Sequence, residues 1–151
     1  MEQIIFRPKL YQFENYKSFA EEFKICGKDL ILTNRYIYDP YSNDNESGAQ
    51  VIYQEDFGNG EPTDTMVDSI ISAAAKESFD RVIAIGGGTV IDIAKVLSVS
   101  DGSNVDKLYD NKENIHKLHE LIIIPTTCGT GSEVTNISII CLLYTSDAAD
   151  D

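Results

Sequence analysis

The stretch Arg81-Val82-Ile83-Ala84-Ile85-Gly86-Gly87-Gly88-Thr89-Val90-Ile91-Asp92-Ile93-Ala94-Lys95-Val96-Leu97 decides the fold. Val82 to Ile85 is a short, unbroken apolar run, as expected of a buried strand. Gly86 to Thr89 turn the chain, and the run from Val90 to Leu97 predicts a helix. A strand that passes at once into a helix leaves backbone N–H groups unpaired at the positive end of the helix dipole, which makes an anion site. Glycine suits that place because a β-carbon would hold a phosphate away from the backbone. A second stretch repeats the arrangement: Leu121-Ile122-Ile123-Ile124-Pro125 leads into Thr126-Thr127-Cys128-Gly129-Thr130-Gly131-Ser132. Together the two loops predict a phosphate- and nucleotide-binding α/β domain.

Working outward, the rest of the chain supplies further strands and helices. Ile4-Ile5-Phe6 and Leu10-Tyr11-Gln12-Phe13 predict short strands or a hairpin around Arg7-Pro8-Lys9. Asn15 is placed to cap a helix bearing Tyr16, Phe19 and Phe23, closed by Gly27. Leu30-Ile31-Leu32-Thr33 predicts a buried strand ending at Asn34, and Val51-Ile52-Tyr53 another. Between them Asp39 to Gly48 is a loop or weak helix. Gly58, Gly60 and Pro62 predict a turn, and Thr63 caps a helix reaching about Ser78 with Met66, Val67, Ile70, Ile71, Ala74 and Ala75 inward. The polar segment Asp101 to Glu120 predicts a loop with a short helix. Alternating strands and helices imply a parallel sheet with right-handed crossovers. The fold class is therefore α/β, a Rossmann-like parallel sheet with flanking helices. Ligands of such sheets sit at the carboxyl ends of the strands, where Asn34, Gly86 and Thr126 fall.

Composition narrows the function. The 151 residues carry 12 Lys and Arg against 25 Asp and Glu, a formal net charge of −13. No basic stripe exists for nucleic acid. A protein this acidic that holds a phosphate must use backbone amides and dipoles. The longest apolar runs are too short to span a bilayer, Met1-Glu2 starts no secretory leader, and three cysteines make no disulfide framework. The expectation is a cytoplasmic protein with no membrane or nucleic-acid partner.

The two loops together resemble the signatures of the iron-containing alcohol dehydrogenase family. Its Gly-Gly-Gly-Ser-x-x-Asp-x-Ala-Lys stands here as Gly86-Gly87-Gly88-Thr89-Val90-Ile91-Asp92-Ile93-Ala94-Lys95, and its Pro-Thr-Thr-x-Gly-Thr-Gly-Ser-Glu is complete from Pro125 to Glu133. The resemblance covers Ile4 to Ile140 and corresponds to the amino-terminal half of such a protein. Asp29 to Asn34 and Cys128 are most similar to the 4-hydroxybutyrate dehydrogenases of that family. It implies a domain over residues 1–140 that ends before an all-helical second domain. It also implies hydride transfer between NAD, or NADP, and a short alcohol or hydroxy acid such as 4-hydroxybutyrate, or the corresponding aldehyde. Carried over, the pyrophosphate lies on Gly86, Gly87, Gly88 and Thr89, and the ribose side along Thr126, Thr127, Thr130 and Ser132. Asp92 then falls near the nicotinamide, or simply stabilises the helix dipole. Members often end the early strand with an acid that holds the adenosine ribose. Here Asn34 can bond a hydroxyl but lacks the charge that repels a 2′-phosphate; NAD is favoured over NADP. Iron or zinc is implied only in the helical domain, so this chain carries no catalytic residue or metal ligand, and the whole protein is expected to be a homo-oligomer. A glycerol dehydrogenase or dehydroquinate synthase relative, and a nucleotide-binding module without chemistry, are the competing readings.

Several residues read more simply as structure. Lys95 is a solvated helix residue, His116 and His119 lie on the surface, and Cys128 is a small packed side chain. Tyr36, Tyr38 and Tyr41 pack a loop, with stacking on a base as the alternative. Glu55, Asp56, Glu61, Asp64 and Asp68 form a solvated face. Residues 141–151 fit the domain poorly and resemble translated adapter sequence, a tail foreign to it.

Overall fold

The structure is a computed structural model and describes residues 8–42, 47–129 and 131–134. Four parallel strands, β1 (Asp29–Thr33), β2 (Gln50–Tyr53), β3 (Arg81–Gly86) and β4 (Glu120–Pro125), form one sheet in the order β2-β1-β3-β4. Five helices join or precede them: α1 (Tyr16–Glu22), α2 (Arg35–Tyr38), α3 (Asp64–Ala74), α4 (Gly88–Val99) and α5 (Val105–Asp110). The register aligns Ile31 with Val51 and Ile83, and Ile83 with Ile122.

Strand alternation sends side chains to two cores. Leu30, Leu32, Val82 and Ala84 pack with α3 and α4 through Val67, Ile70, Ile93 and Leu97. Ile31, Ile83 and Ile85 pack on the other face with Phe19 and Tyr38. All five β1 residues are buried, which is why its sequence shows no polar alternation. At the amino ends Arg81 clamps Asp29 with two hydrogen bonds of 2.6 and 2.9 Å and donates to the Phe23 carbonyl. These bonds join the neighbouring strands at the edge away from the loops.

Some expectations fail locally. Leu10 to Phe13 form no strand; Phe13 packs its ring against Phe19 and Phe23 instead. Gly27 does not close α1. Lys24 does, at φ +51, with Lys24 N–H on the Glu21 carbonyl and Ile25 N–H on that of Ala20, a Schellman closure. The described residues of 39–48 are loop, one of the two forms expected there, with the short helix α2 just ahead of it, and α3 stops at Ala74 rather than near Ser78. Residues 115–118 form no helix, so His116 and His119 share no helical face. His119 stacks on Phe79 with ring centroids 4.3 Å apart. The strands expected at 4–6 and 136–140, and the tail from residue 141, lie outside the described residues. Among those described, no helix is long and apolar enough to cross a membrane, and Cys26 and Cys128 are free and exposed. Cys128 is thus not the packed residue expected.

Candidate functional site

Because β1, β3 and β4 are parallel, Asn34, Gly86 and Thr126 emerge at one edge of the sheet. There a cleft of about 400 Å³ opens between the start of α4 and the carboxyl ends of β1 and β2. Asn34, Gly87, Gly88, Thr89 and Thr127 line it, as their positions in the sequence led us to expect. Tyr36, Gln54, Glu55, Asn59, Gly60 and Val90 complete it.

The start of α4 is built to stay open. Gly87 is the N-cap and offers no side-chain acceptor, and no acid stands in the first turn. The Ile91 N–H bonds the Gly87 carbonyl, so the N–H groups of Gly88, Thr89 and Val90 precede the first helical partner. The glycines here are required for room. A β-carbon on Gly86 would lie 2.9 Å from the side chain of Val90, and one on Gly87 would lie 3.2 Å from Thr127 Oγ1. The two loops are also joined through the backbone, since Thr126 N–H bonds the Gly86 carbonyl at 3.0 Å. Further along the second loop, Gly131 takes φ +68, a conformation that a side chain would strain.

The remaining expected residues sit behind or beside the cleft. Gly86 is the buried end of β3. Thr126 is exposed after β4, and Ser132 lies in a single 3-10 turn (Ser132–Val134) packed against α4. Thr130 lies outside the described residues. Asp92 and Lys95 are both buried on α4, with Lys95 Nζ 3.7 Å from Asp92 Oδ1. Lys95 is therefore not solvated. Burial lowers its pKa, against the opposing pull of Asp92 and Glu133. The pair places a neutralised acid, not a free one, one turn into the helix.

The acids expected on a solvated face are mostly engaged. Asp68 accepts the Val105 N–H at 2.7 Å, and Asp64 is buried and accepts from Thr65 N–H. Asp56 takes the Arg35 guanidinium. Glu55 matters most for the site. Its Oε1 accepts the Arg35 N–H at 2.7 Å and its Oε2 accepts the Asn34 amide at 2.9 Å. Burial raises the Glu55 pKa, but those two bonds, its own backbone N–H and the Arg35 charge together outweigh it, and the carboxyl stays below the usual glutamate range. The other Asn34 amide hydrogen goes to Gln54 Oε1 at 3.1 Å. Gln54 in turn donates to the Gly58 carbonyl. The three tyrosines separate: Tyr36 reaches the cleft, Tyr38 is buried, and Tyr41 is exposed. Gln54 and Glu55 were missed although the rule that found Asn34 applies to them, for they directly follow the β2 strand. Among the described residues no three His, Cys, Asp or Glu side chains gather as a metal-binding group.

The family model of iron-containing alcohol dehydrogenases matches residues 4–146. The chain belongs to the iron-containing alcohol dehydrogenase family. It is 45% identical over 132 residues to a 4-hydroxybutyrate dehydrogenase of Clostridium kluyveri, covering 87% of this chain and 36% of that protein. It is also 45% identical over 87 residues to long-chain-alcohol dehydrogenase 1 of Geobacillus thermodenitrificans, over 53% of this chain and 22% of that one. Among solved structures, an iron-containing alcohol dehydrogenase from Thermotoga maritima superposes with a TM-score of 0.64 at 26% identity, covering 85% of this chain and 38% of that chain. A sulfoacetaldehyde reductase from Bifidobacterium kashiwanohense, solved in complex with NAD+, gives 0.64 at 25% identity, over 83% and 35%. The chain thus matches between 22% and 38% of the length of these relatives, and its sheet is that of their Rossmann-like amino-terminal half.

Proposed function

We propose that this chain is the dinucleotide-binding part of a longer alcohol dehydrogenase that passes hydride between NAD and a short alcohol or hydroxy acid, 4-hydroxybutyrate and its semialdehyde foremost. The observation that carries the reading is the bare start of α4, where Gly87, Gly88 and Thr89 face Thr127 across the cleft. The residues present fit a dinucleotide: backbone donors without a side-chain cap for the diphosphate, and a glycine at the cap where a β-carbon would crowd Thr127 Oγ1 at 3.2 Å. When bound, the nicotinamide supplies the hydride acceptor.

In this reading the N–H groups of Gly88, Thr89 and Val90 would donate to the diphosphate oxygens. Thr127 would orient them from the second loop, with Thr126, Thr130 and Ser132 extending that wall along the ribose side. The Asp92–Lys95 pair keeps negative charge out of the anion site, because the lysine cancels the carboxylate. The 45% identity to the Clostridium kluyveri enzyme supports the substrate class. In this reading the ligands for iron or zinc would lie in the remainder of the longer protein. The 151 residues by themselves should bind dinucleotide weakly and oxidise no alcohol.

NADH titration of the full-length protein, read by nicotinamide fluorescence, tests the assignment. Saturable enhancement in the wild type, lost with Gly87→Asp, is expected. Binding that is absent, or indifferent to Gly87, would overturn it, as would alcohol turnover by the isolated chain.

A further inference from the structure

The strand beside the glycine-loop strand is where a Rossmann-type sheet places the acid that holds the adenosine ribose. Here that neighbour is β1, and it ends in the neutral Asn34. The acid arrives from one strand further out. After β2 the chain makes a single 3-10 turn (Gln54–Asp56), which folds Glu55 back over the end of β1 and into the cleft. We propose that Glu55 is the ribose-recognising carboxylate of this site and selects a dinucleotide with a free 2′-hydroxyl over one with a 2′-phosphate. The inference rests on the cofactor assignment above.

Three features carry it. Glu55 is fixed rather than mobile, because Asn34 Nδ2 holds one carboxylate oxygen and the Arg35 N–H the other. The side chain remains 30% exposed on the cleft, and a carboxylate offers about four lone-pair sites, so acceptor capacity is left for a ribose hydroxyl. Asn34 therefore acts on a ribose through Glu55, as a positioning residue: both its amide hydrogens are spent, on Glu55 and Gln54. The nearby cation is withheld. Arg35 could neutralise a 2′-phosphate, but its guanidinium binds Asp56 through two nitrogens and lies 4.2 Å from the centroid of Tyr53. No lysine or arginine lines the cleft among the described residues. Glu55 and Asp56 share the single Arg35 guanidinium, which lies 3.9 Å from Glu55 Oε1, so a 2′-phosphate would meet a net negative group, whereas a 2′,3′-diol would donate to Glu55.

The test compares NADH and NADPH affinities of the full-length protein, wild type against Glu55→Gln and Glu55→Ala. The wild type should prefer NADH by at least tenfold. Glu55→Gln should cut that preference about tenfold, with NADPH binding improving in absolute terms as the repulsion is removed. A merely structural glutamate would weaken both dinucleotides alike and leave their ratio unchanged; that result overturns the proposal. So does a wild type that binds NADPH as tightly as NADH. Binding of neither dinucleotide overturns the cofactor assignment and this inference with it, while NADH binding with an unmoved ratio overturns only the role of Glu55. Circular dichroism of the variants keeps misfolding apart from these outcomes: a folded Glu55→Ala with wild-type selectivity also counts against it.

Discussion

Helices α3 and α4 pack side by side on one face of the sheet, yet their first turns are opposites. At α3, Thr63 caps its own helix by accepting the Met66 N–H at 3.2 Å, and Asp64 follows as a buried acid against the dipole. At α4 a glycine occupies the cap, no side chain accepts the free donors, and no acid stands in the first turn. The short helix α2 is intermediate: its N-cap Asn34 makes no cap bond, and Glu55 from beyond β2 accepts the first N–H in its place. A capped end contributes stability and is chemically silent. A glycine-capped end forgoes only about a few tenths of a kcal/mol of capping and keeps its donors for a ligand. The contrast supports the proposed binding at α4 rather than α3 although both helices begin at the carboxyl edge of the sheet.

The charge balance behind α4 gives the largest predicted effect. Asp92 could stand close to the proposed diphosphate because Lys95 Nζ lies 3.7 Å from its carboxylate, both side chains being buried. Lys95→Met should leave the buried Asp92 carboxylate without its lysine, at a cost on the order of 3 kcal/mol. Urea unfolding would show this as a lowered midpoint with an unchanged slope. Replacing Asp92 by Leu in the same chain should recover most of the loss. If the single variant unfolds like the wild type, the pair is ornamental and the comparison between the helices loses its electrostatic half.

A second variant makes α4 resemble α3. Gly87→Asp would put an acceptor at the cap, satisfy the donors from within, and set a negative charge where the diphosphate is proposed to lie. NADH affinity of the full-length protein should fall about 100-fold, some 2.7 kcal/mol and comparable to losing one or two hydrogen bonds to a charged group. Stability should change by a few tenths of a kcal/mol, because glycine is itself a fair N-cap. Loss of binding and loss of stability in equal measure would mean that the glycine is there for packing against Thr127 alone.

Much of this contrast was legible in the sequence. The strand-to-helix step at Gly86 and the capping threonine at residue 63 are local signals, and the structure keeps both. β1 and β3 announced themselves because strands buried on both faces need no polar alternation. What failed was non-local. Leu10 to Phe13 have a strand's composition but pair with no strand among the described residues; their aromatics pack on α1. Lys95 and the acids near residue 60 looked solvated because charge usually is; their partners Asp92, Val105 and Arg35 are set by tertiary packing. Glu55 was hidden for the same reason. Its meaning depends on strand order, and the order β2-β1-β3-β4 places β2 beside β1 rather than beside the glycine loop.

Removing the cap of α3 should be felt in stability alone. Thr63→Ala deletes the bond to the Met66 N–H, and the protein should lose about 1 kcal/mol while NADH affinity stays at its wild-type value. A change in affinity would show that α3 is coupled to the cleft, and the two helix starts could no longer be treated as independent.

The borrowed cap of α2 supplies the smallest effect, one visible only in acid. Glu55 is held below the usual glutamate range because the Arg35 N–H and the Asn34 amide, with its own backbone N–H and the Arg35 charge, outweigh burial. A carboxyl whose folded pKa is depressed adds stability above its unfolded pKa, and that contribution fades as the pH falls through the folded value. The wild type should therefore lose stability steadily below the ordinary glutamate range, and Glu55→Gln should flatten the corresponding part of the curve. Because the side chain is partly open to solvent, the difference between the two curves should stay smaller than the loss from Thr63→Ala and should shrink further in high salt. Parallel acid limbs for the two proteins would mean that Glu55 contributes nothing as a cap.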